Sequence, residues 1–479
     1  MSEASDKLST NEQYDEYAPK WKRIRDVMGG LDNMLAAGTE HVPALSGQSS
    51  DDYDAYLKRA HFLDATAKTE EAFRGLLFKT PVEVENAAEI EDLTADMDLQ
   101  DTDINALAEE IASEVMQTNR LLAVVNYSDG IAARPYVELW KAETIFDWST
   151  AFVNGAHNLA YVKLYEGLTV DPGTGELAET VRELRLDPIG ETGVYGYVTQ
   201  QFWRRETQEK KGNRYVKKLE WIAGEVITPL KDNTPWPYIP CFLFGPRRGY
   251  DCRKPSLLGI ADLNISHYRT AADLEHGAHY TALPTAYITG AAPNTTSLSI
   301  GSGEAWVIEN ENAKVDFLEF TGAGLGALER LLDRKQAMMA AEGARMLSPE
   351  KGQAESGHAL QLRQGAEHAS LNTLSDNLSL GLTVLLLYML DWAGRDIDAA
   401  VSVNADFSSP MLSAQEITAL LAAWQGGAIS LDTFLYNMKR GGRINDQQSI
   451  DDEKEAIRDG DGMGGPAVVE DPPSVVDGF

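Results

Sequence analysis

The stretch of sequence that decides the fold runs from Pro255 to Gly394 without a break in its helical and β-rich patterns. Two long helices joined by a small β-rich insert, followed by a longer helix, are not typical of a catalytic cleft. The order predicts an elongated subunit that packs side by side with copies of itself. The segments are a helix at 257–284 (LLGIADLNISHYRTAADLEHGAHYTALP), an insert at 288–320 (ITGAAPNTTSLSIGSGEAWVIENENAKVDFLEF), a helix at 326–347 (GALERLLDRKQAMMAAEGARML), a polar loop at 348–356 (SPEKGQAES) and a long helix ending at DWAGR.

Length and composition indicate a folded chain. The 479 residues are enough for two or three domains, and a hydrophobic content of 43% is in the globular range. Cys241 and Cys252 form neither a CxxC pair nor a metal-ligand pattern, so we expect reduced thiols in a cytosolic setting. The polar N-terminus does not resemble a signal peptide, and the apolar stretch 378–390 is too short to span a bilayer.

The formal net charge of −32 is the strongest compositional signal. It argues against a wrapped nucleic acid and against an anionic membrane, because both need a basic surface. It is compatible with a channel through which DNA passes without sticking. Between Thr80 and Asn119 there are twelve acidic residues and neither Lys nor Arg. The simplest interpretation is a solvated acidic face plus a loop, and the alternative is a surface that repels DNA or meets a basic partner.

The N-terminal half predicts an α+β fold. We expect residues 1–18 to be disordered, and we expect helices at 53–78 and 103–119 because apolar residues recur there at helical spacing. From Arg120 to Phe244 the period changes to two, which predicts one antiparallel or mixed sheet domain flanked by the N-terminal helices. The expected strands are LLAVVNY, RPYVELW, LAYVKLYEG, GVYGYVTQQFWRR, RYVKKLEWI and YIPCFLF.

Helix-packing patterns dominate the C-terminal half. The long helix carries an apolar stripe that predicts a core or subunit-packing surface, formed by Leu371, Leu374, Leu378, Leu382, Leu385 and Met389. The first long helix carries small residues that suit either close approach of neighbouring subunits or a tightly packed core, namely Ala271, Ala272, Gly277, Ala278 and Ala282. Ser413 and Glu416 form a capping box for a short helix, and a second helix is expected at 431–440.

Tests for catalytic and ligand motifs are mostly negative. The segment 322–327 (GAGLGA) follows a strand-like run and opens a helix, as in a dinucleotide fingerprint, but a second parallel strand does not follow. The sequence contains neither a P-loop nor a G-x-S-x-G motif. We therefore predict no catalytic, cofactor or metal site. The densest group of possible metal ligands, without a completing motif, is His267, Glu275, His276 and His279.

Three segments together resemble the portal proteins of tailed double-stranded DNA bacteriophages, which are head-to-tail connectors. They are 261–290 (ADLNISHYRTAADLEHGAHYTALPTAYITG), 301–329 (GSGEAWVIENENAKVDFLEFTGAGLGALE) and 428–434 (AISLDTF). The resemblance extends from about Tyr53 to Ile444. Each segment alone is weak evidence for the resemblance, whereas the combination of the three is specific.

The resemblance implies a portal-like subunit with a wing, a two-helix stem, a small clip and a short helical crown. The short C-terminal region departs from portals that have a long helical barrel. The implied parts are a disordered N-terminus (1–18), the wing of helices and β-sheet (19–254), a descending stem helix (255–283), the clip (284–320), a returning stem helix (321–347), a tunnel loop (348–356), a long wing helix (357–411), crown helices (412–445) and an acidic, mostly disordered tail (446–479).

The resemblance also implies a function without catalysis. Portals form rings, usually of twelve subunits, at one capsid vertex, and assemble in the host cytoplasm. They pass double-stranded DNA during packaging and ejection without reading its sequence. The implied partners are other copies of the chain, the terminase large subunit, a head–tail adaptor or tail protein, and the major capsid or scaffold protein. Neither a cofactor nor a membrane is implied, and ATP hydrolysis belongs to the terminase.

Positive residues of the returning helix and loop are candidates for sparse contacts with DNA phosphates. They are Arg330, Arg334, Lys335, Arg345 and Lys351. The alternative is that they form ordinary i, i+4 ion pairs with Glu329 and neighbouring acids. The candidate tunnel loop consists of Ser348, Pro349, Glu350, Lys351, Gly352, Gln353, Ala354 and Glu355.

Two other functions stay open at this point. One is a soluble acidic enzyme with a site between domains, and the other is a different homo-oligomeric virion component such as a head–tail adaptor. Adaptors are usually much smaller than this chain. The oligomeric state discriminates a portal ring from an enzyme.

Overall fold

The chain divides into two units, Met1–Ala405 and Asp406–Phe479. The first unit is a mixture of helices and antiparallel sheets, in agreement with the predicted α+β class. The computed structural model describes residues 7–128, 133–191, 193–211, 214–231, 233–247, 249–282, 285–289, 314–318, 324–344, 357–405, 414–440, 443–444, 450, 453–454 and 457.

Helices build the first part of unit one. Side-chain caps start three of them: Asn11 accepts from the Gln13 N–H, Ser49 from the Asp52 N–H and Asp103 from the Ala106 N–H. The predicted helix at 103–119 is confirmed as α6. The helices are α1 (Glu12–Met28), α2 (Gly30–Ala37), α3 (Ser50–Arg59), α4 (Ala65–Leu77), α5 (Glu91–Thr94) and α6 (Ile104–Thr118).

The predicted disorder of residues 1–18 is wrong for residues 12–18, which belong to α1. The Asn11 backbone N–H donates to the Phe146 carbonyl at 2.7 Å, and the Tyr14 hydroxyl donates to the Glu143 carbonyl at 2.9 Å. Trp21 is fully buried. These tertiary contacts fix a polar segment whose composition alone resembles a frayed end.

The predicted single helix at 53–78 is also wrong, because the chain breaks between α3 and α4. At the break Phe62 is buried and packs edge-on against Tyr268, with ring centroids 5.4 Å apart. The Leu63 carbonyl accepts a hydrogen bond from the Asn264 amide at 2.8 Å instead of a helical partner. Tertiary contacts therefore override a helical pattern that is continuous in sequence.

The predicted sheet domain contains two separate antiparallel sheets. The smaller has the strand order β11-β2-β3 and the larger has the order β4-β5-β6-β7-β8. The strands are β2 (Leu121–Ser128), β3 (Arg134–Lys141), β4 (Ile145–Val153), β5 (Ala156–Val170), β6 (Leu177–Pro188), β7 (Tyr195–Lys211), β8 (Arg214–Ile227) and β11 (Cys241–Phe244), with a minor pair β9 (Leu230–Lys231) and β10 (Thr234–Pro235) between them.

All six expected strands are present, and β4 and β6 are additional. Strands β4 and β5 are joined by Asn154-Gly155, both at positive φ, which is the turn that a two-residue hairpin favours. This Asn-Gly signal was present in the sequence. Strand β6 (LAETVRELRLDP) has charges between its apolar residues, as an amphipathic helix would, and its Val181 and Leu184 are buried.

Helix α1 connects two apolar clusters of unit one. Trp21 packs with Trp148, Leu184 and other residues of the two sheets. Ile24 and Val27 pack with Tyr268 in a cluster of helices. Because one helix contributes to both clusters, it holds the sheets and the helical block together.

The second half of unit one follows the predicted order of elements but not all of the predicted bounds. The predicted wing-helix region 357–411 is helical only to Trp392, and Gly394 at φ +68° turns the chain into a short strand. The elements are α7 (Leu258–Ala282), β12 (Thr285–Thr289), β13 (Lys314–Leu318), α8 (Leu325–Met339) with a π-type turn to Ala344, α9 (Gly357–Trp392), and β14 (Val401–Ser402), which pairs with β1 (Glu83–Val84).

Helix α9 is a core helix. The predicted stripe is buried at Leu371, Leu378, Leu382, Leu385 and Met389. Gly381 allows close approach to the smaller sheet, because a Cβ atom there would lie 2.2 Å from Cε1 of Phe244. The segment Leu371–Trp392 is long and apolar enough for a membrane span by length and hydropathy, but core helices pass the same test, and here its side chains pack on protein.

Unit two contains α10 (Ala414–Gln425) and α11 (Leu431–Arg440). The rings of Trp424 and Phe434 stack with centroids 5.1 Å apart and join the two helices. The predicted helix at 431–440 is therefore confirmed. Ser413 of the predicted capping box, and most of the predicted disordered tail 446–479, lie outside the described residues.

Candidate functional site

The candidate site is the antiparallel pair of helices α7 and α8 together with the strands β12 and β13 between them. A Cβ atom on Gly277, near the end of α7, would lie 2.9 Å from Leu325 at the start of α8. A Cβ atom on Gly259, at the start of α7, would lie 3.3 Å from the carboxylate of Glu342, which follows α8. The two glycines therefore let the second helix return closely along the first.

Buried polar contacts anchor α7 to the N-terminal helices. Asn264 is fully buried, and its side-chain oxygen accepts from both the N–H and the hydroxyl of Thr66 at 3.1 Å. Its amide donates to the Leu63 carbonyl at 2.8 Å. Arg269 donates to the His41 carbonyl. Since buried polar groups are costly unless paired, these contacts specify one position for the helix.

Asn264 is the functional residue of this block that the sequence analysis missed. A signal was available, because Ile260, Ala261, Ile265 and Tyr268 share its buried helical face. A single amide among apolar residues at helical spacing indicates a buried hydrogen-bonding position.

Lys335, a predicted DNA contact, instead ties α8 to α7. Its ammonium donates to the Ser266 carbonyl at 2.7 Å and to the Thr270 hydroxyl at 2.5 Å. Partial burial lowers the pKa of Lys335, and the nearby positive charge of Arg269 lowers it further. In this subunit the side chain is therefore committed to packing between the helices rather than presented to a phosphate.

The other predicted basic contacts divide into two groups. Arg330 and Arg334 lie on the exposed side of α8, and neither pairs with a carboxylate in the part of the chain that the structure describes. The predicted i, i+4 alternative is thus not seen for these two residues. Arg345, Lys351 and the candidate tunnel loop, Ser348 to Glu355, lie outside the described residues.

The exposed side of α8 also carries large apolar side chains. Leu331 is 39% exposed and Met338 is 44% exposed. They follow the same helical side as Arg334, because positions 331, 334 and 338 are three and four residues apart. This side combines apolar and cationic groups and is not covered by the described residues of the same chain.

Strands β12 and β13 form an antiparallel pair with five partners, from Thr285 opposite Leu318 to Thr289 opposite Lys314. The strand before the GAGLGA segment is thus antiparallel to its neighbour, whereas the dinucleotide fingerprint needs parallel strands around its helix. Tyr287 is 42% exposed on this pair. The intervening residues 290–313 lie outside the described residues.

The histidine group of α7 does not form a metal centre among the residues with described positions. His267 is 4% exposed and its Nε2 lies 3.3 Å from the amide of Gln336. Burial lowers the pKa of His267, and the charge of Lys335 lowers it further. His276 packs edge-on against Tyr56 at 5.3 Å. Packing and hydrogen bonding within the subunit therefore account for the positions of His267 and His276.

Another cluster of possible ligands lies at Asp26, Glu40 and His41, whose donor atoms are all within 4.8 Å of one another. The Lys22 ammonium is 2.6 Å from the Asp26 carboxylate and 2.9 Å from the Glu40 carboxylate. Both carboxylates raise the pKa of Lys22. A lysine ammonium already pairs with both carboxylates and occupies the side of the cluster where they converge.

A cavity of about 660 Å³ lies against the two sheets. Arg182 in its lining pairs with Glu138 at 2.9 Å and with Glu166 at 2.5 Å. Aromatic side chains supply much of the remaining lining. The lining contains neither His, Cys, Ser nor Lys.

In a comparison with protein families, the block from α7 to α9 matches a family model. A family model described as "Domain of unknown function (DUF4055)" matches residues 256–393. No curated protein matches the chain. The match covers the elements from α7 to α9, which is less than half of the chain.

Solved structures that match are components of gene transfer agent (GTA) particles. A chain from "Neck of empty GTA particle computed with C6 symmetry" is 10% identical with a TM-score of 0.38, covering 81% of this chain and 92% of that one. A chain from "Virion of native gene transfer agent (GTA) particle" is 10% identical with a TM-score of 0.38, covering 83% and 96%. A chain from "Neck of native GTA particle computed with C12 symmetry" is 9% identical with a TM-score of 0.37, covering 83% and 97%. The three matched chains are thus neck and virion components of those particles.

Proposed function

We propose that this chain is a portal-type virion subunit that forms a ring at one capsid vertex and serves as a passage for double-stranded DNA. The observation that carries the proposal is the antiparallel pair α7–α8, which has a β-strand pair between its helices and leaves one side of α8 uncovered. The sequence resemblance to portal proteins lies on these elements. A subunit with such an uncovered helical side needs a neighbour to bury its apolar residues.

Each proposed part of the portal subunit corresponds to particular helices and strands. Helices α1 to α6 and the two sheets form the wing, α7 is the descending stem helix, and β12–β13 belongs to the clip at 284–320. Helix α8 is the returning stem helix and residues 348–356 form the tunnel loop. Helix α9 returns into the wing, and α10 and α11 form a short crown.

Charge supports a passage rather than a tight DNA-binding site. Affinity for DNA grows with the number of phosphates that a protein neutralises, and this chain has a net charge of −32. Arg330 and Arg334, four residues apart, form one edge of the exposed side of α8, and Leu331 and Met338, which a neighbour would cover, form the other edge. The two arginines supply few cations per subunit, so DNA contacts would be weak and transient. In the proposed assembly the terminase would supply ATP hydrolysis, and an adaptor or tail protein would bind later.

The first test is the mass and projected shape of the purified chain, alone and coexpressed with its capsid and scaffold proteins. Mass photometry and negative-stain imaging should show rings of about twelve subunits with a central hole. A monomer or dimer under both conditions would contradict the proposal.

The matched variants Arg330→Glu/Arg334→Glu and Arg330→Lys/Arg334→Lys test the passage of DNA. Both should form rings, and only the charge reversal should lower the yield of DNA-filled particles.

The tunnel-loop assignment has its own test. Deletion of Pro349 to Glu355 should leave rings intact, because these residues lie between helices, and should impair DNA packaging or retention. Replacement of the same residues by a Gly/Ser segment of equal length is the control for loop length. Normal yields of genome-filled particles from the deletion would show that the assignment is wrong.

A further inference from the structure

The long hairpin of β7 and β8 extends beyond the sheet to which it belongs. Pairing between β6 and β7 ends at Thr180 opposite Trp203, whereas pairing between β7 and β8 continues to Lys211 opposite Arg214. Residues 206–211 and 214–219 therefore form a two-stranded arm in which each strand is paired only with the other. An isolated two-stranded hairpin is marginally stable in water, so an arm of this kind benefits from a further binding surface.

The base of the arm is fixed to the rest of the sheet. Arg204 pairs with Glu179 at 2.7 Å, and Arg205 pairs with the carboxylate of Asp171 in the β5–β6 turn. The Asp171 side chain also accepts from the Gly173 N–H at 2.8 Å. The arm is thus held in a defined direction at its base.

The arm is basic although the chain is acidic. It contains five cations and two acids, a net charge of +3, whereas the whole chain carries −32. Four of the cations lie within eight residues, and the Leu219 side chain near the base of the arm is 57% exposed. The cations are Lys210, Lys211, Arg214, Lys217 and Lys218.

A complementary acidic row lies elsewhere in unit one. It consists of Glu83, Glu85, Glu89 and Glu91, all exposed. None of these four pairs with a cation among the residues that the structure describes, whereas the adjacent Asp92 pairs with Arg395 at 2.6 Å. The row is fixed in place by the pairing of β1 with β14 and by α5.

We propose that the arm of one subunit binds the acidic row of a second copy of this chain. The proposal rests on the ring assembly proposed above, and it names the contact that holds neighbours together. The arm and the row are different surfaces of one chain, so their contact is head-to-tail, which is the kind that closes into a ring. Attraction between opposite charges also selects one register between neighbours.

A second copy fits the arm better than DNA does. Exposed Leu219 needs an apolar neighbour, which phosphates do not offer. A DNA segment near the arm would also meet the negative field of the remaining chain, while the acidic row is present in every subunit at the concentration of the protein itself. DNA binding by the arm is the competing outcome of the experiment.

The test is a charge swap in the full-length protein. The arm variant is Lys210→Glu/Lys211→Glu/Lys217→Glu, and the row variant is Glu85→Lys/Glu89→Lys/Glu91→Lys. Each alone places like charges opposite each other and should lower the ring yield about tenfold or more by mass photometry. The combined variant should restore the yield to within about twofold of the parent.

Two controls separate the contact from general charge effects. Lys58→Glu/Lys68→Glu/Lys79→Glu changes the net charge by the same amount as the arm variant, at exposed positions on α3, on α4 and just after α4, and should leave the ring yield unchanged. Carbodiimide crosslinking of a mixture of 14N- and 15N-labelled protein should join arm lysines to row carboxylates in peptides of mixed label. Circular dichroism of each variant checks that the subunit folds.

The outcomes distinguish this inference from the proposed function. If the parent protein does not form rings with its capsid and scaffold proteins, the proposed function is wrong and this contact falls with it. If the parent forms rings and the folded arm variant forms them equally well, only the contact is wrong. A folded arm variant that forms rings normally but binds a DNA duplex more weakly would assign the arm to DNA instead.

Discussion

Helices α7 and α8 lie side by side, yet the chain buries them very differently. In α7, Ala261, Asn264, Tyr268 and Ala272 are fully buried beneath α1, α3, α4 and α8. In α8 only Met339 is buried. The same difference appears in their polar groups: those of α7 bond to other elements of the subunit, whereas the arginines of α8 face away from it.

The contrast shows that one helix of the pair belongs to the subunit core and the other is held from one side only. Burial of apolar surface dominates stability, so changes in α7 should act on folding of the single subunit. Changes on the exposed side of α8 should act only where a second molecule covers it. Each mutation below tests whether this division holds.

The largest effect is expected for Tyr268→Ala. The ring is fully buried against Phe62, and its removal leaves a cavity, so we expect a loss of about 3–5 kcal/mol in the free energy of unfolding. Urea denaturation of the unassembled subunit, followed by circular dichroism, measures it. Tyr268→Phe is the control and should lose about 1 kcal/mol, the hydrogen bond to the Leu57 carbonyl. Equal, small losses in both variants would show that α7 is not a core helix.

A smaller loss, about 1–3 kcal/mol, is expected for Asn264→Ala, because the buried Thr66 N–H and the Leu63 carbonyl lose their partner. The same denaturation experiment applies. Gln336→Ala on α8 is the matched amide deletion, and because Gln336 is exposed and makes one long hydrogen bond, to His267, we expect a smaller loss of about 0.5–1 kcal/mol. If the two deletions cost the same, the contrast between the helices does not hold.

A pH dependence is expected from His267 at the interface of the two helices. Its pKa in the folded subunit is lowered from 6.5, first by burial and then by the charges of Lys335 and His61. The unfolded chain therefore takes up the proton more readily, so stability is present above pH 6.5 and falls as the pH drops through the folded pKa. Urea midpoints between pH 7.5 and pH 5 should decrease less for His267→Gln than for the parent. Parallel curves for the two proteins would exclude this origin.

The sequence predicted the order of elements in the second half of unit one because the apolar residues of each helix recur at helical spacing over many residues. The stripe of α9 and the helical patterns of α7 and α8 are local signals, and all three are confirmed. The break between α3 and α4 was not predictable in this way, because it depends on Asn264 and Tyr268, which are about two hundred residues away.

The candidate site was predicted less well than the fold. A positive charge on a helix predicts a contact with phosphate only if the side chain reaches solvent, and periodicity alone does not determine which side of α8 is free. Lys335 and Arg334 are adjacent in sequence, yet the ammonium of one is bonded to α7 and the guanidinium of the other is exposed. The basic arm was missed because its residues were interpreted only as the expected strand RYVKKLEWI and the connection before it.

The smallest effect on folding is expected for Leu331→Ser/Met338→Ser. Both side chains are already exposed, at 39% and 44%, so the free energy of unfolding of the unassembled subunit should change by about 0.5 kcal/mol or less. The ring yield in mass photometry should nevertheless fall, because in the proposed assembly a neighbour covers this side of α8. Ala327→Ser, on the same exposed side, is the control that introduces a hydroxyl without removing a large apolar group. A double variant that folds and assembles like the parent would mean that this side of α8 faces solvent in the assembly, and the contrast between the helices would then concern stability alone.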